Sequence, residues 1–166
     1  MTINTTIMDE NLNEIEDMVM LAKELGAGIS VSIAHNYSDA DASALNADET
    51  AEISKRLVEL KKKGYPLVNL INYFKVMAKD KSWRCKPWAV INVDPYGKLV
   101  LPCYVRNEYA ASASVFETDI KTAISRFDWS ETENCVECSL HCYVEPSLVL
   151  SWDLSTYLNY ASRVGK

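Results

Sequence analysis

The feature that most constrains this chain is a run of cysteines in the stretch NCVECSLHCYVEP. Cys135, Cys138 and Cys142 lie within eight residues in the spacing C-x2-C-x3-C. A C-x2-C pair can bind one metal centre through a tight turn, because both side chains emerge on the same side of that turn. With five cysteines in total, a framework in which every cysteine is paired within one chain is excluded. The sequence therefore predicts a thiol-rich knuckle.

These thiols are expected to be reduced, because the sequence indicates a cytoplasmic protein. No apolar run approaches the roughly 18 residues of a transmembrane helix, and the start MTINTTIMDE lacks the basic-then-apolar pattern of a secretory signal. In the cytoplasm, clustered cysteines are more often metal ligands or redox groups than disulfides. The net charge of −6 argues against wrapping of nucleic acid, and we expect neither a nucleic-acid nor a membrane partner.

A second pair of cysteines flanks a predicted antiparallel hairpin, WAVINVDPYGKLVL, which turns at residues 94–97. That hairpin would bring Cys85 and Cys103 together at its open end. Combined with the C-x2-C pair, they make four thiolates, which suit tetrahedral zinc or a 4Fe-4S cluster. Cys142 either replaces one of the four or remains a free thiol nearby. Iron-sulfur ligands, structural zinc ligands and ordinary or oxidised thiols all stay open at this point.

The first part of the chain predicts an α/β fold with alternating strands and helices. A β-branched strand covers Thr2–Met8, and a capping pattern starts a helix at Asn11 that ends at Gly26. GISVSIAH predicts the next strand, and a second capping pattern, at Asn46, starts a helix that ends at Gly64. Such alternation favours parallel strands with crossover helices.

The rest of the chain is more irregular. Residues 67–77, LVNLINYFKVM, are either a short strand followed by a helix or a single apolar helix. Residues 104–117 are expected to form a loop, and Thr118 or Asp119 to cap a short helix. A final helix is predicted from Pro146 to Tyr160, with Leu150, Leu154, Tyr157 and Ala161 on one face. We predict two domains, residues 1–82 and 83–166.

The order of these segments resembles the C-terminal half of a radical S-adenosylmethionine protein. The resemblance is carried by TINTTIMDENLNEIEDMVMLAKELGAGISVSI, by CKPWAVINVDPYGKLVLPC and by CVECSLHC. In that family, units of a partial β/α barrel are followed by a small cysteine-rich domain, called twitch or SPASM, with a hairpin and a helix. Five residues separate Gly97 from Cys103, one more than the usual SPASM pattern, and the full seven-cysteine set is absent, so the single-cluster twitch arrangement is the nearer one.

The resemblance implies an auxiliary 4Fe-4S cluster on Cys85, Cys103, Cys135 and Cys138, with Cys142 as a fifth candidate metal ligand. It also implies a first half that carries the S-adenosylmethionine cluster, which lies outside this sequence and would be a partner. A peptide or a small molecule would be the substrate. The isolated chain is accordingly expected not to cleave S-adenosylmethionine.

Two other functions fit parts of the sequence. A zinc-stabilised, non-catalytic interaction module would use the same thiolates, and a small one-electron carrier would leave the β/α part without a purpose. His141 could ligate a metal or hydrogen-bond a sulfur, although an exposed histidine is the commoner case. His35 follows a predicted strand at the end where β/α folds place their sites, and a polar loop residue is again the commoner case.

Overall fold

The computed structural model describes residues 1–34, 44–106, 113–132, 135–136, 138–151 and 154–158. Helices and strands are mixed, which confirms the α/β class at a coarse level. None of the helices in these ranges is both long and apolar enough to span a membrane. The strands and α-helices with printed bounds are β1 (Thr2–Ile7), α1 (Ile15–Glu24), β2 (Gly28–Ile33), α2 (Ala47–Lys62), α3 (Ile71–Met77), α4 (Ile120–Arg126) and α5 (His141–Val149).

The strands β1 and β2 form a parallel pair, and α1 makes the connection between them. The pairing runs in register from Thr2 opposite Gly28 to Ile7 opposite Ile33. Alternate residues of β2 are buried, so one face of this strand lies in the core, as period-two side-chain alternation requires. Within the described ranges the sheet contains these two strands, and the partial barrel predicted from the sequence stays a prediction.

Asn11 does not start the first α-helix as the sequence predicted. A 3-10 turn over Asp9–Glu14 precedes α1. The side chain of Asn11 accepts a hydrogen bond from the Met8 N–H at 3.0 Å and donates one to the Thr6 carbonyl at 2.9 Å. Asparagine competes effectively for nearby backbone groups, and here that capacity ties the turn to the end of β1.

The capping pattern predicted at Asn46 is confirmed. Its side-chain oxygen accepts hydrogen bonds from the backbone N–H groups of Asp48 and Glu49, and the Glu49 carboxylate accepts from the Asn46 N–H at 2.9 Å. This reciprocal arrangement satisfies backbone donors that the first turn of α2 leaves without helical partners. The helix ends at Lys62, and Gly64, two residues later, has a φ of +83° that suits glycine.

Of the two alternatives predicted for residues 67–77, the structure has the first, a short extended segment followed by a helix. Leu67 makes an isolated parallel bridge to Ile29, and α3 begins at Ile71. Between them, the buried side chain of Asn69 accepts from the Val31 N–H at 2.7 Å and donates to the Val31 carbonyl at 3.0 Å. The amide of Asn69 therefore replaces the backbone of a neighbouring strand beside β2.

Among the described residues, the turn of the predicted hairpin is present, but its arms are not continuous strands. An isolated antiparallel bridge joins Val93 and Leu99, and the Asp94 carboxylate accepts from the N–H groups of Tyr96 and Lys98, each at 2.8 Å. Of the two proposed caps of α4, Asp119 is the one used, since its carboxylate accepts from the Thr122 N–H at 2.9 Å. The predicted loop over 104–117 includes a 3-10 turn, Tyr104–Arg106, and residues 107–112 lie outside the described ranges.

The sequence predicted the wrong start for the final helix. α5 covers His141–Val149, so Pro146 lies inside it, and a separate helical segment follows at 154–158. Leu150 and Leu154 are 38% and 72% exposed, and the buried face consists instead of Tyr143, Val144, Ser147 and Leu148. Proline is favoured at the first helical position, where its missing N–H costs nothing, but here the buried Tyr143 and Val144 place the start of the helix before Pro146. Residues 152–153 and 159–166, which include Tyr160 and Ala161, lie outside the described residues.

One hydrophobic core connects the two halves of the chain. Val144 and Leu148 of α5 are buried in the same cluster as Ile7, Ile29 and Leu57 of the β/α part. The domain boundary near residue 82 remains a prediction, but α5 is packed against the N-terminal layer.

We predict that Asn69→Ala destabilises the fold by about 2–4 kcal/mol, because it leaves the Val31 N–H and carbonyl buried without partners. Urea unfolding followed by circular dichroism measures this change. The control is Asn4→Ala on the exposed side of β1, for which we expect a change within about 0.5 kcal/mol. Equal effects of the two substitutions would contradict the role assigned to Asn69.

Candidate metal centre

The five cysteines come from three parts of the chain. Cys85 precedes the 3-10 turn Pro87–Ala89, and Cys103 precedes the turn Tyr104–Arg106. Cys135 and Cys138 lie just before α5, and Cys142 lies in its first turn. All five are free thiols; Cys85 and Cys138 are 6% and 8% exposed, and the others are half-buried.

The structure brings these thiols into one neighbourhood. The Cys85 N–H donates to the Cys135 carbonyl at 3.0 Å. Cys85 lies close enough to Cys103 for their charges to interact, and Cys138 interacts in the same way with Cys85, Cys103 and Cys142. Residues 50 positions apart in the sequence, Cys85 and Cys135, are therefore direct neighbours in the fold.

The electrostatics of this cluster keep two thiols protonated in the metal-free chain. Burial, followed by the neighbouring Cys135 and Cys103, raises the pKa of Cys85 to about 12. Burial is also the main cause that raises the pKa of Cys138 to about 12, and the hydrogen bond from the Leu140 N–H opposes it. A thiol must lose its proton to bind a metal, so a bound cation would have to repay this desolvation.

Hydrogen bonds from α5 and from the residues just before it fix the surroundings of the thiols. The Leu140 N–H lies 3.4 Å from the sulfur of Cys138. Ser147, one turn after Tyr143 on α5, accepts from the N–H of Lys86, the residue that follows Cys85, at 2.8 Å. Sequence reasoning missed Ser147, although a helix started at His141 would have placed it on the buried face.

Two tyrosines line the cluster on the side of Cys103 and Cys142. The Tyr104 hydroxyl is 4.0 Å from the sulfur of Cys142, and its ring is 5.7 Å from that of Tyr143. The Tyr143 hydroxyl accepts from the Asn92 side chain at 2.6 Å. Burial first, and then Cys103, raises the pKa of Tyr143 far above its usual range, so this ring remains neutral beside the thiols.

His141 is not fully exposed. Among the described residues it makes no hydrogen bond to a thiol. It is half-buried, and its Nδ1 is 2.7 Å from the hydroxyl of Ser32 on β2. This bond links the first turn of α5 to the sheet and orients the imidazole. His35, the other candidate histidine, lies outside the described residues.

A cleft of about 510 Å³ adjoins the cluster along α5. His141, Cys142 and Glu145 supply its polar lining, and the Glu145 carboxylate also accepts from the Leu70 N–H at 2.7 Å. The remaining lining is apolar, from Leu70, Ala89, Pro146, Val149 and Leu150. A ligand in this cleft would lie beside the Cys142 thiol.

The donor set has the chemistry of a four-thiolate centre, but the thiols are not grouped as such a centre requires. Among the described residues, no three His, Cys, Asp or Glu side chains are close enough together to hold a single metal ion as they stand. The thiols nevertheless share one buried neighbourhood, and cysteine sulfur is the donor that iron-sulfur clusters and structural zinc both use. The assignment of Cys85, Cys103, Cys135, Cys138 and Cys142 as metal ligands stays a prediction.

Comparison with known proteins gives a family but no activity. The model of a family described as a domain of unknown function, DUF3463, matches residues 29–161, and the chain belongs to this family. No curated protein and no solved structure matches the chain. The matched range includes β2 except for Gly28, and all five cysteines.

We predict that Cys85 and Cys138 are the slowest thiols to be alkylated in the reduced, metal-free chain at pH 8. A pKa about three units above the usual value lowers the thiolate fraction roughly 1,000-fold. Mass spectrometry after iodoacetamide treatment measures each site, with Cys103, Cys135 and Cys142 as internal comparisons. Both slow rates should still rise between pH 9 and pH 11, where ordinary thiols are already ionised. Five similar rates in the folded chain would contradict this assignment.

Proposed function

We propose that this member of the DUF3463 family is the C-terminal region of a cytoplasmic radical S-adenosylmethionine protein and that it binds an auxiliary 4Fe-4S cluster. The observation that carries the proposal is the proximity of cysteines from distant segments, above all the backbone hydrogen bond between Cys85 and Cys135. A buried group of thiols with a C-x2-C pair is the donor set that such a cluster requires.

Cys85, Cys103, Cys135 and Cys138 are the proposed ligands, and Cys142 is the fifth thiol beside them. When bound, an auxiliary cluster supplies one-electron redox chemistry or a site that orients substrate. The protein contributes the sulfur donors, a water-poor setting and hydrogen bonds to the sulfurs, which together set the reduction potential. The Leu140 N–H at Cys138 and the neutral Tyr143 ring are parts of that setting.

The β/α part supports the resemblance to the second half of a partial barrel. β2 is covered on one side by β1 and on the other by Leu67 and Asn69. The outer edge of β1 has no paired strand among the described residues. Parallel strands are usually buried within larger sheets, so further β/α units would fit along that edge. In the proposal, a first half that carries the S-adenosylmethionine cluster is the partner, and the present chain alone does not cleave S-adenosylmethionine.

The cleft along α5 gives the proposal a place for substrate. It opens beside Cys142, next to the thiols, and offers the His141 imidazole and the Glu145 carboxylate as polar groups. A peptide or small molecule held there would be close to the cluster. The wall formed by Leu70 and Val149 would contribute apolar contacts.

A zinc-stabilised, non-catalytic module is the second candidate. It is favoured by the irregular backbone of the described residues between α3 and α5, where isolated bridges and 3-10 turns predominate. A tetrahedral zinc ion can hold such segments together, because ligand binding and folding are coupled in structural zinc sites.

Anaerobic reconstitution with iron and sulfide separates the two candidates. For the wild-type chain we expect a brown protein with broad visible absorption and about four irons per chain. Cys85→Ser and Cys138→Ser should lose most of the iron, because each removes a buried ligand. Cys142→Ser is the matched control, since four thiolates suffice without it, and it should retain the cluster.

Metal analysis decides the outcome. One tightly bound zinc, without iron uptake or colour, would contradict the cluster and support the structural module. Loss of the cluster in Cys142→Ser, with retention in Cys85→Ser, would contradict the proposed ligand set.

A further inference from the structure

Two cysteines from distant segments are joined through their main chains. The Cys85 N–H donates to the Cys135 carbonyl at 3.0 Å. Standard bond lengths then limit the distance between the two Cα atoms to about 7 Å or less. Cysteines whose Cα atoms lie farther apart than about 7 Å cannot be bridged without movement of the backbone, so this pair meets the distance requirement for a disulfide.

Cys135 is also the thiol that most affects Cys85. Burial is the main cause that raises the pKa of Cys85, and Cys135 comes next, ahead of Cys103. That order is expected when Cys135 supplies the nearest sulfur, because charge interactions weaken with distance. Among the described residues, no three donors are close enough together to hold a metal ion as they stand, so the arrangement that the backbone supports is a pair of thiols.

Two of the other thiols lie against different groups. The Cys138 sulfur accepts from the Leu140 N–H at 3.4 Å, and this residue is 8% exposed. The Cys142 sulfur lies 4.0 Å from the Tyr104 hydroxyl. Neither contact involves Cys135, so we expect Cys85 to be its preferred partner.

We propose that Cys85 and Cys135 are a redox modification site, which forms a reversible disulfide when the metal-free chain meets hydrogen peroxide. The inference goes beyond the proposed function, because it concerns the chain without a metal. Disulfides in cytoplasmic proteins are usually transient and redox-sensing, so a reversible bond is the kind expected in that compartment.

The reaction needs one peroxide molecule for each disulfide. Peroxide reaches Cys135 first, since Cys135 is half-buried and Cys85 is 6% exposed. The Cys135 sulfur attacks one peroxide oxygen and breaks the O–O bond, which leaves a sulfenic acid and releases one water. The Cys85 sulfur then displaces that hydroxyl, and the thiol proton leaves with it as a second water. Two thiols thus lose two electrons and two protons, and the peroxide is reduced to two waters.

The disulfide would control metal loading. It withdraws two of the four proposed metal ligands, so the oxidised chain lacks a four-thiolate donor set until a dithiol reduces the bond. It also joins the segment before the turn Pro87–Ala89 to the segment before α5, which are 50 residues apart at Cys85 and Cys135.

Peptide mapping tests the linkage directly. The reduced, metal-free chain is treated with hydrogen peroxide, its remaining thiols are blocked with iodoacetamide, and unreduced peptides are analysed by mass spectrometry. We expect one main linkage, between Cys85 and Cys135, with loss of two of the five free thiols and their return after dithiothreitol treatment. On a non-reducing gel the oxidised chain should migrate faster, because the bond closes a loop.

Three variants check the assignment. Cys85→Ser and Cys135→Ser should each abolish the linkage and the change in gel mobility. Cys142→Ser, the matched control, should retain both. Circular dichroism checks that each variant is folded, and the wild-type peptide map decides the question if a variant is not.

The outcomes also separate this inference from the proposed function. A main linkage between Cys135 and Cys138, or oxidation of the thiols without any linkage, overturns the inference. A chain that forms the expected linkage but takes up no iron in its reduced state overturns the proposed function alone. A chain that binds the cluster but forms no linkage when metal-free overturns this inference alone.

Discussion

The packing of α5 against the β/α layer fixes the position of the candidate site. Val144 and Leu148 are buried in the core that also contains Ile7 and Ile29. Cys138 and Cys142 flank the start of this helix, so their positions depend on how its buried face is seated. The bond between Ser32 and His141 then ties the first turn of α5 to β2. The hydrophobic core and the thiol cluster are thus parts of one structure.

Local signals in the sequence predicted much of this fold, and non-local contacts account for the rest. The caps at Asn46 and Asp119 were predictable because each bonds within three residues of itself. Asn69 was not, since its partner Val31 lies 38 residues earlier and no local pattern indicates an amide that replaces a strand. For the site, spacing identified the cysteines as a set, but the hydrogen bond between Lys86 and Ser147 depends on tertiary packing. No repeated spacing of residues in the sequence predicts this contact.

The thiol cluster affects the stability of the chain as a whole. Burial keeps Cys85 and Cys138 protonated in the metal-free fold. A metal centre would displace these protons and join the segments around residues 85, 103 and 135, so its binding energy would also stabilise the fold. In this view the thiols contribute to both the chemistry and the stability of the C-terminal half. The N-terminal layer, which has a packed core and a capped α2, depends less on the metal.

The central claim is that these thiols bind one four-iron cluster. Mössbauer spectroscopy of the chain, reconstituted with isotopically enriched iron, tests it most directly because this method distinguishes cluster types. The account predicts a spectrum dominated by an oxidised 4Fe-4S cluster in its diamagnetic state. A spectrum of single iron ions coordinated by four thiolates, or of adventitious iron alone, would contradict it.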